Sequence, residues 1–211
     1  MARKQFRGDR RLDKIPNPER DMEDFRSSDT VVIGVGNTIL SDEGVGVHAA
    51  RLLESDPRVP AGVTILDGGT LGLELIPYAS DAFRILILDA MNSGKAPGTL
   101  ARMTGKDLLG TTAERSVHQL GVADLIAALF LVSSGPQEIV VLGVQPANTD
   151  WGTTLSPEVE AALVPLVDAA VAQLYLWKES RGRGLNFQPS ALPPGQHSDR
   201  IVSEPCEKGS T

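Results

Sequence analysis

The sequence predicts an α/β protein built on a largely parallel sheet. Short runs of β-branched and aliphatic residues alternate with longer segments of helical period, which is the pattern of βαβ units. The chain has 211 residues, of which 41% are hydrophobic and 22% are charged, and this composition suits one globular domain with a substantial core. The first apolar run ends in a glycine turn that leads to acidic residues, at the edge where open α/β sheets build their sites.

Five apolar runs predict the strands. In chain order they are residues 31–35, 63–66, 85–88, 100–103 and 139–144. The fourth run follows Pro97-Gly98 closely after the third. So tight a connection favours an antiparallel strand at the edge of the sheet.

Four segments with helical period predict helices. They cover residues 42–54, 71–79, 119–131 and 156 to about 177. The last helix has the clearest start, because Ser156 suits the N-cap and Pro157 suits the first helical position.

The two ends of the chain predict polar arms around the folded unit. Residues 1–29 and 179–211 are mostly polar and contain several prolines and glycines. They cannot bury enough apolar surface to offset the entropy of ordering them. We therefore predict a mobile arm at 1–29, the folded domain at 30–178 and a disordered tail at 179–211.

Charge and cysteine content exclude several classes of function. The formal net charge is −7, which argues against a nucleic-acid surface, because such surfaces cluster Lys and Arg. The one cysteine, Cys206, allows no internal disulfide and no cysteine-rich metal site, and it fits a reducing cytoplasm. We find no secretion signal and no apolar run that is long enough to cross a membrane. We expect a cytoplasmic monomer that binds neither nucleic acid nor membrane.

The glycine turn after the first run half-matches a dinucleotide fingerprint. Gly34 and Gly36 occupy the first two glycine positions, but Ile39 stands where a third glycine should allow close helix packing. The next acid at a strand end, Asp67, comes about thirty residues after Gly36 instead of the usual ~20. A small dinucleotide-binding enzyme is therefore the less favoured alternative.

Two acidic residues open the first predicted helix. Asp42 suits the capping of that helix, because a carboxylate accepts hydrogen bonds from free N–H groups and is stabilised by the helix dipole. Glu43 is followed by Gly44 and Gly46, which predicts bare backbone along which a substrate chain could lie. Glu43 is thus a candidate functional residue and Asp42 a structural one.

Two further acids end predicted strands. Asp89 follows the run 85–88 directly, at the edge where α/β sites gather. Asp67 begins the loop Asp67-Gly68-Gly69-Thr70, whose paired glycines favour an unusual loop geometry first and a supporting role in the site second.

Of the three histidines, His118 is the candidate ligand. It stands at the entry to the third predicted helix, where an isolated histidine is usually a cap or a surface residue. His48 lies five residues after Glu43, about 140° around a helix from it, so the two cannot readily share a metal. We therefore assign His48 to the helix surface or to packing. His197 lies in the polar tail.

Convergence of Glu43, Asp89 and His118 would create a site that needs a positive charge. Two carboxylates about 5 Å apart repel by roughly 3 kcal/mol at an effective dielectric near 20. A shared proton would offset this repulsion, but a divalent cation does so more fully and also explains the imidazole. These ligand types leave Ni, Zn, Co and Mn open.

Taken together, the motifs resemble those of the hydrogenase maturation proteases. They are Gly34-Val35-Gly36-Asn37, Ser41-Asp42-Glu43-Gly44-Val45-Gly46, Leu66-Asp67-Gly68-Gly69-Thr70, Leu88-Asp89-Ala90, Ala96-Pro97-Gly98-Thr99 and His118-Gln119-Leu120-Gly121. They cover nearly the whole folded unit in order. The resemblance implies a twisted, mostly parallel five-stranded sheet, with one antiparallel strand and helices on both faces.

The same resemblance implies an activity and a site. The family members are endopeptidases that remove a C-terminal extension from the [NiFe]-hydrogenase large-subunit precursor after nickel insertion. The nickel-contacting residues correspond to Glu43, Asp89 and His118, and Asp67 falls in a family loop motif as a supporting residue. We expect the nickel to be carried by the substrate, with other divalent metals able to bind the isolated protein. Both an aspartic-type and a nickel-directed mechanism are open, and a non-enzymatic nickel or hydrogenase assembly factor is the second alternative.

Overall fold

The computed structural model describes residues 29–105, 107, 117–132 and 135–182. The predicted polar arms lie almost wholly outside these residues, so their character stays a prediction. Cys206 and His197 also lie outside them. His118 is described as part of a helix, but its side chain is not.

Five strands form one sheet. They are β1 (Thr30–Val35), β2 (Val63–Gly69), β3 (Arg84–Ala90), β4 (Leu100–Thr104) and β5 (Glu138–Val144). The strand order is β2-β1-β3-β5-β4, in which only the β4–β5 pair is antiparallel among the described strands. The predicted α/β class, the five strands and the antiparallel edge strand are confirmed.

The partner of β4 differs from the one that a tight connection after β3 suggests. β4 pairs with β5, which lies between β3 and β4. The connection runs past the carboxyl end of β5, where the Gly98 N–H donates to the Gln145 carbonyl and the Gln145 N–H donates to the Thr99 carbonyl, both at 2.9 Å. These bonds bring the chain beside β5 before β4 begins.

All four predicted helices are present. They are α1 (Val45–Glu54), α2 (Ile76–Ala79), α3 (Val117–Val132) and α4 (Pro157–Gly182). The first two are preceded by 3-10 turns, Ser41–Gly44 and Gly72–Leu75, which account for the start of each predicted segment.

The last helix, α4, extends beyond the predicted end at about residue 177. Arg84, which is 7% exposed, donates from Nη1 to the Trp177 carbonyl and from Nη2 to the Ser180 hydroxyl, each at 2.8 Å. A cationic donor near a helix C-terminus interacts favourably with the helix dipole. The buried guanidinium therefore stabilises the final turns of α4, which local sequence does not reveal.

Alternate residues of the central strands fill two cores, one on each face of the sheet. Val32 and Leu86 pack with residues of α1 and α4. Ile33 and Ile87 pack with residues of α2 and α3 on the other face. Since the central strands are buried on both faces, they read as continuous apolar runs in the sequence.

The sheet has a topological switch point between β1 and β3. From β1 the chain passes to β2 on one side of the sheet, and from β3 it passes to β4 and β5 on the other. Such a reversal opens a crevice at the carboxyl ends of the two strands. Glu43 follows β1 and Asp89 lies near the end of β3, so the fold places both acids at this crevice.

One helix contradicts the expectation that no apolar run is long enough to cross a membrane. Pro157–Ser180 meets that test by length and composition, with a mean hydropathy of 1.5 in its most apolar window. Within that window 44% is buried in the protein, and Leu166 and Ala170 are fully buried. The run is apolar because one side of α4 packs on the sheet, and a core helix of this kind passes the same test.

Candidate active site

A tight turn carries the chain from β1 back over the sheet edge to Glu43. The Gly36 N–H donates to the Gly69 carbonyl at 2.9 Å, and the Glu43 N–H donates to the Leu40 carbonyl at 3.1 Å. Gly36 has a φ of 131°, and a Cβ there would overlap the carbonyl oxygen of Glu43. Only glycine therefore allows this close return of the chain.

The two glycines after Glu43 serve packing, so the prediction that they expose bare backbone to a substrate is wrong. Gly44 and Gly46 are both buried. A Cβ on Gly44 would lie 2.9 Å from the Cα of Thr38, and one on Gly46 would overlap the carbonyl oxygen of Leu88. Their lack of a side chain lets α1 lie directly on the sheet and so fixes the position of Glu43.

Asp42 joins the loop between β1 and α1 to the loop between β5 and α4. The prediction that it caps its own helix is wrong. Its carboxylate is fully buried and accepts hydrogen bonds from the backbone N–H groups of Ala147, Asn148 and Ser156 and from the Ser156 hydroxyl, at 2.6–2.9 Å. Burial would raise the pKa of Asp42, but these bonds stabilise the charged form and hold the pKa below its ordinary value. Because Ser156 directly precedes α4, Asp42 caps the start of that helix.

Asp89 is a buried acid at the end of β3. It is 2% exposed, and its Oδ1 accepts the Ala90 N–H at 2.7 Å. Burial raises the pKa of Asp89 to about 8, the Ala90 hydrogen bond opposes this, and the charge of Glu43 adds to the increase. The charge of Glu43 thus acts on Asp89, and the raised pKa favours the protonated form of Asp89.

A cleft of about 280 Å³ opens beside Glu43 and beside Ala90, the residue after Asp89. Its lining comes from the end of β3 and the loops after β1, β3 and β5, and consists of Glu43, Ala90, Asn92, Gln145, Pro146, Ala147 and Thr149. Gln145 is 8% exposed and supports the wall, because its Oε1 accepts the Ser93 N–H at 2.7 Å and the Ser93 hydroxyl at 3.1 Å.

Gln145 is a cleft residue that the sequence motifs do not single out. It follows the buried strand β5 directly, just as Asp89 comes at the end of the buried run in β3. A polar residue at the end of a buried strand is thus a signal for the site, whether or not it is an acid.

The structure does not test whether His118 joins the pair. His118 is the second residue of α3, and its side chain lies outside the described part of the chain. Strand alternation puts Asp89 on the same face as Ile87, the face on which α3 packs. Among the side chains that are described, no group of three or more potential metal ligands is found, so the described part of the site consists of Glu43 and Asp89.

Asp67 and His48 lie near each other, outside the residues that line the cleft. Asp67 Oδ2 accepts from the Nη2 of Arg51 at 2.8 Å in an exposed ion pair. His48 is half-buried; burial and the neighbouring Arg51 lower its pKa, against the opposing charge of Asp67. His48 therefore suits the predicted packing or surface role.

The sequence predicts a loop from Asp67, but residues 67–69 continue β2, and the unusual dihedral angle lies at Gly69. Gly69 has a φ of 44°, and its carbonyl accepts the Gly36 N–H. A Cβ on Gly68 would lie 2.7 Å from the Ile33 side chain. The two glycines thus allow the end of β2 to pack against β1 and to support the turn that leads to Glu43.

The fold and site define an α/β protein with a pair of acids in a switch-point crevice, and comparison with known proteins identifies its family. Residues 47–173 match the family model for HycI, the hydrogenase maturation protease. The chain is 37% identical to the hydrogenase expression/formation protein HupD of Bradyrhizobium diazoefficiens over 70% of this chain and 78% of that protein. It is also 37% identical to the hydrogenase 2 maturation protease of Escherichia coli, over 68% of this chain and 89% of that protein.

Solved structures of hydrogenase maturation proteases are similar to this chain as well. The hydrogenase maturating endopeptidase HybD of E. coli superposes with a TM-score of 0.65 and 35% identity, covering 70% of this chain and 93% of that one. The [NiFe] hydrogenase maturation protease HybD of Thermococcus kodakarensis has a TM-score of 0.59 and 27% identity, covering 69% and 98%. The chain belongs to the hydrogenase maturation protease family.

Proposed function

We propose that this protein is an endopeptidase that removes the C-terminal extension of a [NiFe]-hydrogenase large-subunit precursor after nickel insertion. Family membership supports the general processing role, since maturation proteases act on hydrogenase large-subunit precursors. In this proposal Glu43, Asp89 and His118 recognise the nickel that the precursor carries. We also propose that the protein acts as a monomer in the cytoplasm.

The observation that carries the proposal is the pairing of Glu43 with a buried Asp89 beside an open cleft. Two carboxyl groups in a buried crevice cannot both carry charge at low cost. A divalent cation offsets both charges, and carboxylate and imidazole groups suit nickel as ligands. A precursor that carries nickel would therefore bind in this cleft more tightly than one without it, which makes cleavage conditional on nickel insertion.

The same acids are suited to proton transfer during hydrolysis. In the proposed reaction Glu43, or Asp89 once it has lost its proton, accepts a proton from the water that attacks the scissile carbonyl. The carbon–nitrogen bond then breaks, and a proton passes to the leaving nitrogen. When bound nearby, nickel supplies Lewis-acid polarisation of the carbonyl. We assign Asp67, at the neighbouring strand end, a supporting role.

The test is to mix the purified protein with nickel-loaded and nickel-free precursor and to follow the intact mass of both. We expect loss of a C-terminal peptide from the loaded precursor only. Binding of the loaded precursor without a mass change would instead identify an assembly factor. Saturable binding of NAD or FAD, with both precursors intact, would indicate the dinucleotide-binding alternative.

A further inference from the structure

Two exposed apolar side chains, Ile39 and Trp151, lie on the two loops that contribute Glu43 and Thr149 to the cleft, and we call them the rim patch. Ile39 is 47% exposed and Trp151 is 81% exposed. Leu40 and Gly152 form a parallel β-bridge, and the residue before each of them is a member of the rim patch. The bridge and its hydrogen bonds bring the backbone segments that carry Ile39 and Trp151 side by side.

The rim patch is held rigidly. The Gly152 N–H donates to the Ile39 carbonyl at 3.0 Å, and the Ser41 N–H donates to the Gly152 carbonyl at 2.9 Å. The Ser41 hydroxyl donates to the Asp150 carbonyl at 3.0 Å, and Ser41 adopts a left-handed φ of 50°. A non-glycine residue keeps such a conformation only where its surroundings fix it. The exposed indole is thus presented on a preorganised loop, which lowers the entropy lost on binding.

The loops that carry the rim patch also line the cleft. Glu43 lines the cleft four residues after Ile39, and Thr149 lines it two residues before Trp151. The buried Asp42 carboxylate fastens the same two loops together. A polypeptide bound in this cleft therefore lies beside the loops that carry the rim patch.

We propose that the rim patch docks an apolar segment of the precursor polypeptide that continues out of the cleft. This inference rests on the proposed function. Exposed tryptophan on a rigid surface is typical of the few residues that carry most of the energy of a protein–protein interface. Docking at the rim patch adds affinity for the precursor that is independent of nickel and leaves the chemical step to the acids in the cleft.

Processing kinetics test the docking role. Nickel-loaded precursor is treated with a series of excess enzyme concentrations, which yields a half-saturating concentration and a limiting rate. For the double variant Ile39→Ser, Trp151→Ala we expect at least about a tenfold higher half-saturating concentration and a limiting rate within about twofold of wild type. Trp151→Phe should restore most of the affinity, because it keeps an apolar ring.

Leu176→Ala is the matched control. Leu176 is 60% exposed, but it lies far from the cleft. Ser156, which donates to Asp42, directly precedes α4, and Leu176 lies some twenty residues farther along that helix, roughly 30 Å at 1.5 Å per residue. We expect wild-type kinetics from this variant. An unchanged half-saturating concentration for the double variant would overturn the docking proposal while leaving the proposed protease function standing.

A spectroscopic measurement tests docking without relying on cleavage. The chain has two tryptophans, Trp151 exposed and Trp177 only 3% exposed. Enzyme labelled with fluorotryptophan should give two fluorine NMR signals, which the Trp151→Phe variant assigns. Unlabelled nickel-loaded precursor should shift the Trp151 signal and leave the Trp177 signal in place. An unmoved Trp151 signal in a formed complex, or self-association of the enzyme that Trp151→Ala abolishes, would contradict docking of the precursor at the rim patch.

Discussion

The backbone of Gly46 lies directly against the carbonyl oxygen of Leu88, the residue before Asp89. A Cβ on Gly46 would overlap both that oxygen and the carbonyl oxygen of Val35. The first turn of α1 is therefore in direct contact with the ends of β1 and β3. This contact brings Glu43, three residues earlier, near Asp89.

Gly46→Ala should destabilise the fold. The added methyl group meets backbone atoms of two central strands, so α1 has to move away from the sheet, and overpacking of this kind costs about 1–3 kcal/mol. The matched control is Gly121→Ala in α3, because a Cβ there would meet no atom of the described part of the chain within 4 Å. We expect it to stabilise the helix by about 0.5–1 kcal/mol. Urea midpoints measure both effects, and equal midpoints for Gly46→Ala and wild type would refute the close-contact argument.

Asp42→Asn should destabilise the protein by about 1.5–3 kcal/mol at neutral pH, because an amide N–H₂ replaces an acceptor that faces several donors. The lowered pKa of Asp42 means that its stabilisation is present above about pH 4 and is lost as pH falls through the lowered value. The difference in stability between variant and wild type should therefore shrink in acid. Asp150→Asn, in the same region but exposed, is the control. Denaturant titrations at several pH values measure this, and a pH-independent difference would contradict it.

Asp89→Asn should change the pH dependence of stability in the opposite sense. An acid whose pKa is raised by folding keeps its proton in the native state, so stability falls as pH rises between the unfolded value near 4 and the folded value of about 8. The neutral amide removes this loss. In metal-free buffer with chelator, we expect the variant to gain stability over wild type between pH 5 and pH 8. The exposed Asp81→Asn should show no such trend, and parallel curves for Asp89→Asn and wild type would disprove the raised pKa.

Asp67→Asn tests the supporting role of Asp67. Its ion pair with Arg51 is exposed at both ends, so its loss should change the free energy of unfolding by less than about 1 kcal/mol. If Asp67 supports the site, processing of nickel-loaded precursor should nevertheless slow. Arg51→Gln breaks the same ion pair but keeps the carboxylate, and comparison of the two rates separates the acid from the pair. Wild-type processing by Asp67→Asn would remove Asp67 from the site.

The sequence predicts the central strands well because they are buried on both faces. Continuous runs such as 85–88 have no polar side to obscure them, and glycine or acidic residues mark their carboxyl ends. The position of Asp89 at the switch-point crevice follows from those same signals. The apolar runs and the residues at their carboxyl ends were therefore enough to propose that Glu43 and Asp89 lie near each other.

What the sequence does not predict depends on contacts between distant parts of the chain. The donors to Asp42 lie 105 to 114 residues away, so its role in joining two loops has no local signal. The packing of Gly44 and Gly46 against other elements is equally non-local, which is why they were assigned to substrate contact. The pairing of β4 with β5 depends on hydrogen bonds of Gln145 that only the folded chain forms.

We propose that Glu43, Asp89 and His118 together bind the nickel carried by the precursor. The most direct measurement is the intact mass of nickel-loaded precursor over time with Glu43→Gln, Asp89→Asn and His118→Ala, each shown to be folded. His48→Gln is the matched histidine control. We predict that each of the three variants leaves the precursor at full length while His48→Gln trims it at the wild-type rate. Complete trimming by all three variants would contradict the account.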